Sequence, residues 1–160
     1  MEHLIFHHME TVRGITEQAI NKIPEEIADI IPNGFRNNIR WNFGHIAFTQ
    51  EKLVFELSGE EKNVPQHYEK FFAPGTSPAD WEHPPSFSEI AKVLAEQKAR
   101  IKHFLPGRLE EKLVTPFTNR GGITFFGVGE IFLFSLYHEA LHMETIKYIK
   151  RAISSNSMGK

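Results

Sequence analysis

Cysteine is missing altogether from the 160 residues. Its absence excludes disulfides, thiolate-zinc sites and a nucleophilic thiol. Any transition metal must therefore be held by histidine, carboxylate or water. A dominant charge is missing as well: 18 basic and 20 acidic side chains leave a formal net charge of −2, with the signs mixed along the chain. No basic stripe is available to neutralise phosphates, which removes nucleic-acid binding. Long apolar runs are also lacking; the longest, around Ile131 to Tyr137, is far too short to span a bilayer. The opening residues, MEHLIFHHMETVRG, have no basic region followed by an apolar run and do not read as a secretory signal. The expectation is a cytoplasmic protein with neither membrane nor nucleic-acid partners.

What is abundant is histidine, with nine, and phenylalanine, with fourteen. The length suits one domain with a core of its own, placed here at residues 1–153, followed by a polar, fraying tail at 154–160. The excess phenylalanine implies either a generous core or an apolar patch that a second subunit covers.

Four stretches have helical periodicity. The first runs from about Glu2 to Lys22, with Leu4, His8, Val12, Ile15, Ala19 and Ile23 on one side. The second runs from about Asn38 to Leu57. Asn37 or Asn38 can cap its start, Gly59 can end it, and Trp41, His45, Phe48, Lys52 and Phe55 share a side. The third opens after Pro84-Pro85 with a Ser86/Glu89 capping box and ends at Pro106-Gly107. The fourth runs from about Phe126 to Ala152; Gly127 and Gly129 weaken its first turn, and Lys147, Lys150 and Arg151 suit its C-terminal dipole. No strand pattern, internal repeat or low-complexity tract competes. The fold class expected is all-α: a four-helix bundle with long connections at about 58–85 and 106–125. The first connection holds His67, Tyr68, Phe71, Phe72, Trp81 and His83. It should pack back onto the helices, either over the mouth of a site or as a plug at the end of the core.

The strongest chemical signal is His138-Glu139-Ala140-Leu141-His142 in the fourth helix. Histidines at i and i+4 lie about 40° apart around the axis and one turn apart in height, so both imidazoles can reach one ion. Their neighbours on that face, Ile131, Phe134, Ser135, Thr145 and Ile149, are mostly apolar, and burying two imidazoles there without a shared partner would be costly. The segment also matches the zinc-protease pattern HExxH. That architecture needs a third ligand downstream, and the relevant positions hold Thr145 and Tyr148; the only acid after His142 is Glu144, too close to serve. The third ligand is therefore sought upstream, and His45 is the best candidate, on the same side of its helix as Trp41 and Phe48. Gly44 beside it costs helix stability, which close approach of another helix or room around a metal would explain. Glu139 points about 100° away from His138; it can support a ligand or make a surface salt bridge, and a supporting or structural role is favoured over that of general base. His8, on the apolar side of the first helix, is a candidate to line the pocket.

The segment Asn38-Ile39-Arg40-Trp41-Asn42-Phe43-Gly44-His45-Ile46, followed far downstream by His138-Glu139-Ala140-Leu141-His142, resembles the DinB family of bacterial helical proteins over essentially the whole chain. The resemblance implies a four-helix bundle, often homodimeric, with a three-histidine metal site at His45, His138 and His142. It also points to relatives that transfer or isomerise small thiol-containing substrates, and to hydrolases. The functional expectation is a metal-dependent enzyme activating a low-molecular-weight thiol or water on one divalent ion per chain. Zinc or nickel is favoured, with iron or manganese also compatible with imidazole. The alternative is a non-catalytic, metal-binding or stress-related homodimer, with Phe132, Leu133, Leu136 and Tyr137 off the histidine face as its interface.

Overall fold

A computed structural model describes residues 1–157. It is mostly helical, with five helices and one two-stranded sheet among the described residues. Helix α1 (Glu2–Lys22) ends where Ile23 turns extended before Pro24. Helix α2 (Ile39–Gln50) starts at Asn38, whose side-chain carbonyl accepts from Trp41 N–H at 2.7 Å. It then widens into a π segment (Glu51–Phe55), tightens into a 3-10 turn (Glu56–Ser58) and stops at Gly59 with φ 88°. The widening begins where Gln97 donates from across the core to the Ala47 carbonyl and the buried Glu51 carboxylate, an intrusion into the helical ladder that loosens it.

The aromatic connection is structured. Its short helix α3 (Tyr68–Phe72) buries Tyr68, Phe71 and Phe72 against α2. Helix α4 (Phe87–Phe104) opens on Ser86, whose hydroxyl accepts from Glu89 N–H. Only half of the expected capping box forms, because the Glu89 carboxylate pairs with His67 instead. Strands β1 (Lys112–Thr118) and β2 (Thr124–Gly127) form an antiparallel hairpin, with Phe117 opposite Phe125. This corrects the expectation of no strand. Its pattern is hidden in the sequence by Pro116 and by an irregular register between Lys112 and Phe117.

Helix α5 (Val128–Ser157) begins two residues later than expected and extends past residue 153, so 154–157 are helical rather than a tail; residues 158–160 lie outside the described residues. Its start is set by Glu130, which accepts from the N–H groups of Phe126 and Gly127. Gly129 is required there, since a Cβ would sit 2.7 Å from the Leu109 carbonyl oxygen.

The four long helices pack on one another, α1 against α4 and α5, and α2 against α4 and α5. The face that α1 buries is not the one its apolar residues mark. Met9, Arg13, Thr16 and Ile20 are buried, while Leu4 and Ile15 are 63% and 53% exposed. The reason is a buried polar cluster. The Arg13 guanidinium donates to both oxygens of Glu139 at 3.0 Å, to Gln50 at 3.1 Å and to the Leu94 carbonyl at 2.9 Å. Thr16 adds a 2.6 Å bond to Glu139. Four helices thus meet around one ion pair. No helix among the described residues is long and apolar enough to cross a membrane.

Candidate metal centre

The three histidines singled out from sequence converge. One ring nitrogen from each of His45, His138 and His142 lies within 4.8 Å of the other two. The ring centroids are 4.5 Å apart for His138 and His142, 4.7 Å for His45 and His142, and 5.2 Å for His45 and His138. Helix α5 supplies its pair from successive turns of one face, and α2 presents His45 across from them.

Hydrogen bonds fix which nitrogen faces inward. His45 Nδ1 donates to the Phe72 carbonyl at 2.6 Å, leaving Nε2 with the lone pair. Thr49, one turn on, places its hydroxyl 3.3 Å from that Nε2. Asn42 uses its amide N–H on the Asn38 carbonyl at 2.7 Å, so its side-chain oxygen is turned to His142 Nδ1 at 2.8 Å. That oxygen accepts only, so Nδ1 of His142 carries the proton and Nε2 is the free ligand atom. Such outward bonds are how metal-ligating imidazoles are held in tautomer and orientation.

The rings are also kept neutral. Burial, with the neighbouring His45 adding to it, pushes His138 down to about 4. Burial and the other two rings push His142 down to about 3. His45 is lowered by burial and by the charge of Arg120, against the opposing effect of its bond to Phe72. A neutral imidazole with an oriented lone pair is the form a metal requires, so the residues present fit a divalent ion.

The pH consequence has a definite sign. The values for His138 and His142 lie below the ordinary histidine range and His45 is lowered from it, so a metal displaces fewer protons near neutrality than free imidazoles would require. Zinc affinity is expected to fall at lower pH than three free imidazoles would give, most steeply as His138 and His142 take up protons near 4 and below. Isothermal titration at each pH checks this, and a loss centred on pH 6 would contradict it. Conversely, the metal-free fold is expected to lose stability as pH falls from 6.5 toward 4, because the unfolded chain takes up protons first.

Gly44 is explained by contact. A Cβ there would lie 2.3 Å from the Phe72 ring, so only glycine lets α3 approach closely enough to offer its carbonyl to His45. Gly44→Ala is expected to destabilise the fold by about 1–3 kcal/mol through overpacking and to weaken metal binding by about 10–100-fold through loss of the orienting bond. Urea denaturation and a metal titration read the two effects separately.

The other candidates divide. Trp41 stacks on His45 at 4.3 Å with an interplanar angle of 13° and hydrogen-bonds Thr76 through its indole N–H. His8 is exposed and is not among the residues lining the cavity beside the histidines, because the buried face of α1 is the one carrying Arg13. Glu139 is neither a surface acid nor bonded to a ligand; it is 1% exposed and bound to Arg13 and Thr16. Thr49 and Asn42 escaped the sequence reading, although their spacing from His45, four residues after and three before, places both on its side of the helix.

The three histidines open onto a cavity of about 800 Å³. Its walls are α2, α5, the 74–77 segment that follows α3, and the β1–β2 turn. The aromatic connection thus plugs the core with Phe71 and Phe72 and also borders the site. Among the described residues no carboxylate joins the histidine cluster, so a bound ion would keep open positions.

No curated protein matches the chain. The crystal structure of a conserved protein from Enterococcus faecalis matches 100% of this chain and 98% of its own, with a TM-score of 0.65 and 15% identity, a likeness of fold alone. A family model, the DinB superfamily, matches residues 8–146, a span that includes all three histidines together with helices α2 to α4 and both strands. The chain belongs to the DinB superfamily.

Proposed function

We propose that this protein is a cytoplasmic metal-dependent enzyme that binds one divalent ion through His45, His138 and His142 and activates a small thiol or water for attack on an electrophile. Zinc or nickel suits three neutral imidazoles, and iron or manganese remains compatible. The observation carrying this reading is the convergence of three buried or half-buried ring nitrogens within 4.8 Å at the edge of a cavity large enough for a small molecule. When bound, the ion supplies a Lewis acid that lowers the pKa of a coordinated thiol or water toward neutrality.

The chain's own residues do the rest. Phe72 and Asn42 hold the rings of His45 and His142. Trp41 covers one face of His45 and keeps bulk water from it. The Thr49 hydroxyl stands beside the ligand nitrogen of His45, where it can hold a proton of the incoming group. Glu139 locks α5 in rotation so that both its histidines face α2.

In this reading the four long helices form a four-helix bundle, and the protein is a homodimer. Of the interface residues expected from sequence, Phe132 and Leu136 belong to the core and Tyr137 lines the cavity, whereas Leu133 is 45% exposed and remains available to a second copy. Light scattering that finds only monomer at micromolar concentration would remove the dimer. For the reaction, the test is a screen of small thiols against electrophiles with the zinc- and nickel-loaded protein. Turnover that disappears in His138→Ala is expected; turnover unaffected by that change, or none with any metal and thiol, contradicts the enzymatic reading.

A further inference from the structure

One acid occurs for every eight residues of this chain, yet among the described residues neither aspartate nor glutamate lines the cavity beside the histidines. Two arginines do: Arg36, just before α2, and Arg120, in the β1–β2 turn. Their situation differs from that of the other five. Arg13, Arg40, Arg100 and Arg108 are each paired with a carboxylate. Arg151 lies over the Tyr148 ring. Arg36 and Arg120 have neither kind of partner among the described residues, and both are exposed at the same cavity. The charge of Arg120 reaches His45. An unpaired guanidinium presents a planar fork of donors matched to an oxyanion. With three neutral imidazoles and no acid among the described lining residues, nothing described there offsets that charge, and a divalent ion would add to it.

The remaining wall is apolar. Phe134, Tyr137 and Leu141 rise along one side of α5, and Phe117 faces them from β1. Tyr137 and Leu141 are 59% and 49% exposed at the cavity, an apolar surface with no core to bury it.

We propose that the substrate of this site is a small organic anion, a carboxylate or a phosphate ester with an apolar body, whose oxyanion is held by Arg36 and Arg120 while the body lies against Tyr137, Leu141 and Phe134. The proposal rests on the metal-site reading only for where the reaction occurs; the recognition of the anion belongs to the arginines. It predicts discrimination against neutral compounds of the same shape, because a guanidinium that loses its water without gaining an acceptor is penalised.

The test is calorimetric titration of the full chain, with and without bound zinc, using benzoate, phenyl phosphate and the neutral match benzamide. Benzoate or phenyl phosphate is expected to bind at least about tenfold more tightly than benzamide, and Arg36→Gln and Arg120→Gln each to reduce that preference by about tenfold. Zinc content by elemental analysis should stay unchanged in both variants. The tighter of the two anions identifies the oxyanion preferred. Equal affinity for benzoate, phenyl phosphate and benzamide would overturn the proposal. So would an anion preference that survives both arginine changes, since the anion would then be held by the metal alone. A preference that persists in zinc-free protein and is lost in the arginine variants supports the proposal even if the metal site fails. Stoichiometric zinc binding without any anion preference leaves the metal site standing and removes this one.

Discussion

Glu139→Ala is expected to cost about 3–5 kcal/mol of folding stability, the loss typical of removing one partner from a buried ion pair. The Arg13 and Glu139 side chains are 2% and 1% exposed, so a guanidinium left alone would keep its charge in the core with only Gln50 and a backbone carbonyl for company. Thr16 would lose its acceptor as well. Urea denaturation of the metal-free protein measures this. A double change, Arg13→Met with Glu139→Leu, is expected to recover most of the loss, because apolar residues of similar volume avoid the desolvation of both charges. A change below about 1 kcal/mol for Glu139→Ala would place the pair outside the core's energetics. The same network has a functional consequence. Glu139 adjoins His138, so an anchor between α1 and α5 sets the rotation at which the histidines meet α2.

His142→Ala is expected to weaken metal binding by about 10²–10³-fold while leaving the fold largely intact. A complete four-ligand zinc site is worth about 10–16 kcal/mol, so one ligand carries roughly 2.5–4 kcal/mol of it. His142 is partly exposed at the cavity edge, so truncation opens space to solvent rather than a sealed void. Zinc titration against a competing chelator reads the affinity, and thermal unfolding in excess chelator reads the fold. The combination distinguishes a ligand from a core residue. A core residue would lower the chelated protein's melting temperature, and a ligand lowers it only when metal is present.

The histidine pair was legible because its geometry is local: four residues on one helix fix both distance and direction. His45 was legible as an inward residue next to a glycine that needed a reason. Phe72 was not, since the atom it contributes is a backbone oxygen, which has no signature in the side-chain alphabet. Arg36 and Arg120 were also out of reach, because the signal is the absence of a partner, which only the packed structure shows. The α1 face was misread for a related reason. Leu4, Val12 and Ile15 made a convincing apolar stripe, but Arg13 has a partner 126 residues away, and that pairing turns Arg13 and Thr16 inward. Glu139 is the other half of that pair, a structural role within what the sequence allows, but its partner on α1 has no mark in the sequence. The hairpin was hidden because a proline and an irregular register break the alternation that marks a strand.

The four long helices were far more accessible, since their periodicity is local and the starts of α2 and α4 carry their own capping chemistry. Asn38 and Ser86 act as N-caps where expected. The start of α5 alone departs, because Glu130 caps it from inside and Gly129 docks against Leu109.

The most direct test is X-ray absorption at the metal edge of the zinc- or nickel-loaded protein. The expected spectrum shows one ion per chain with three imidazole nitrogens at about 2.0–2.1 Å and at least one further light atom from solvent or substrate, and a drop to two imidazoles in His45→Ala. A spectrum dominated by carboxylate oxygens, or one unchanged when His45 is removed, would contradict it.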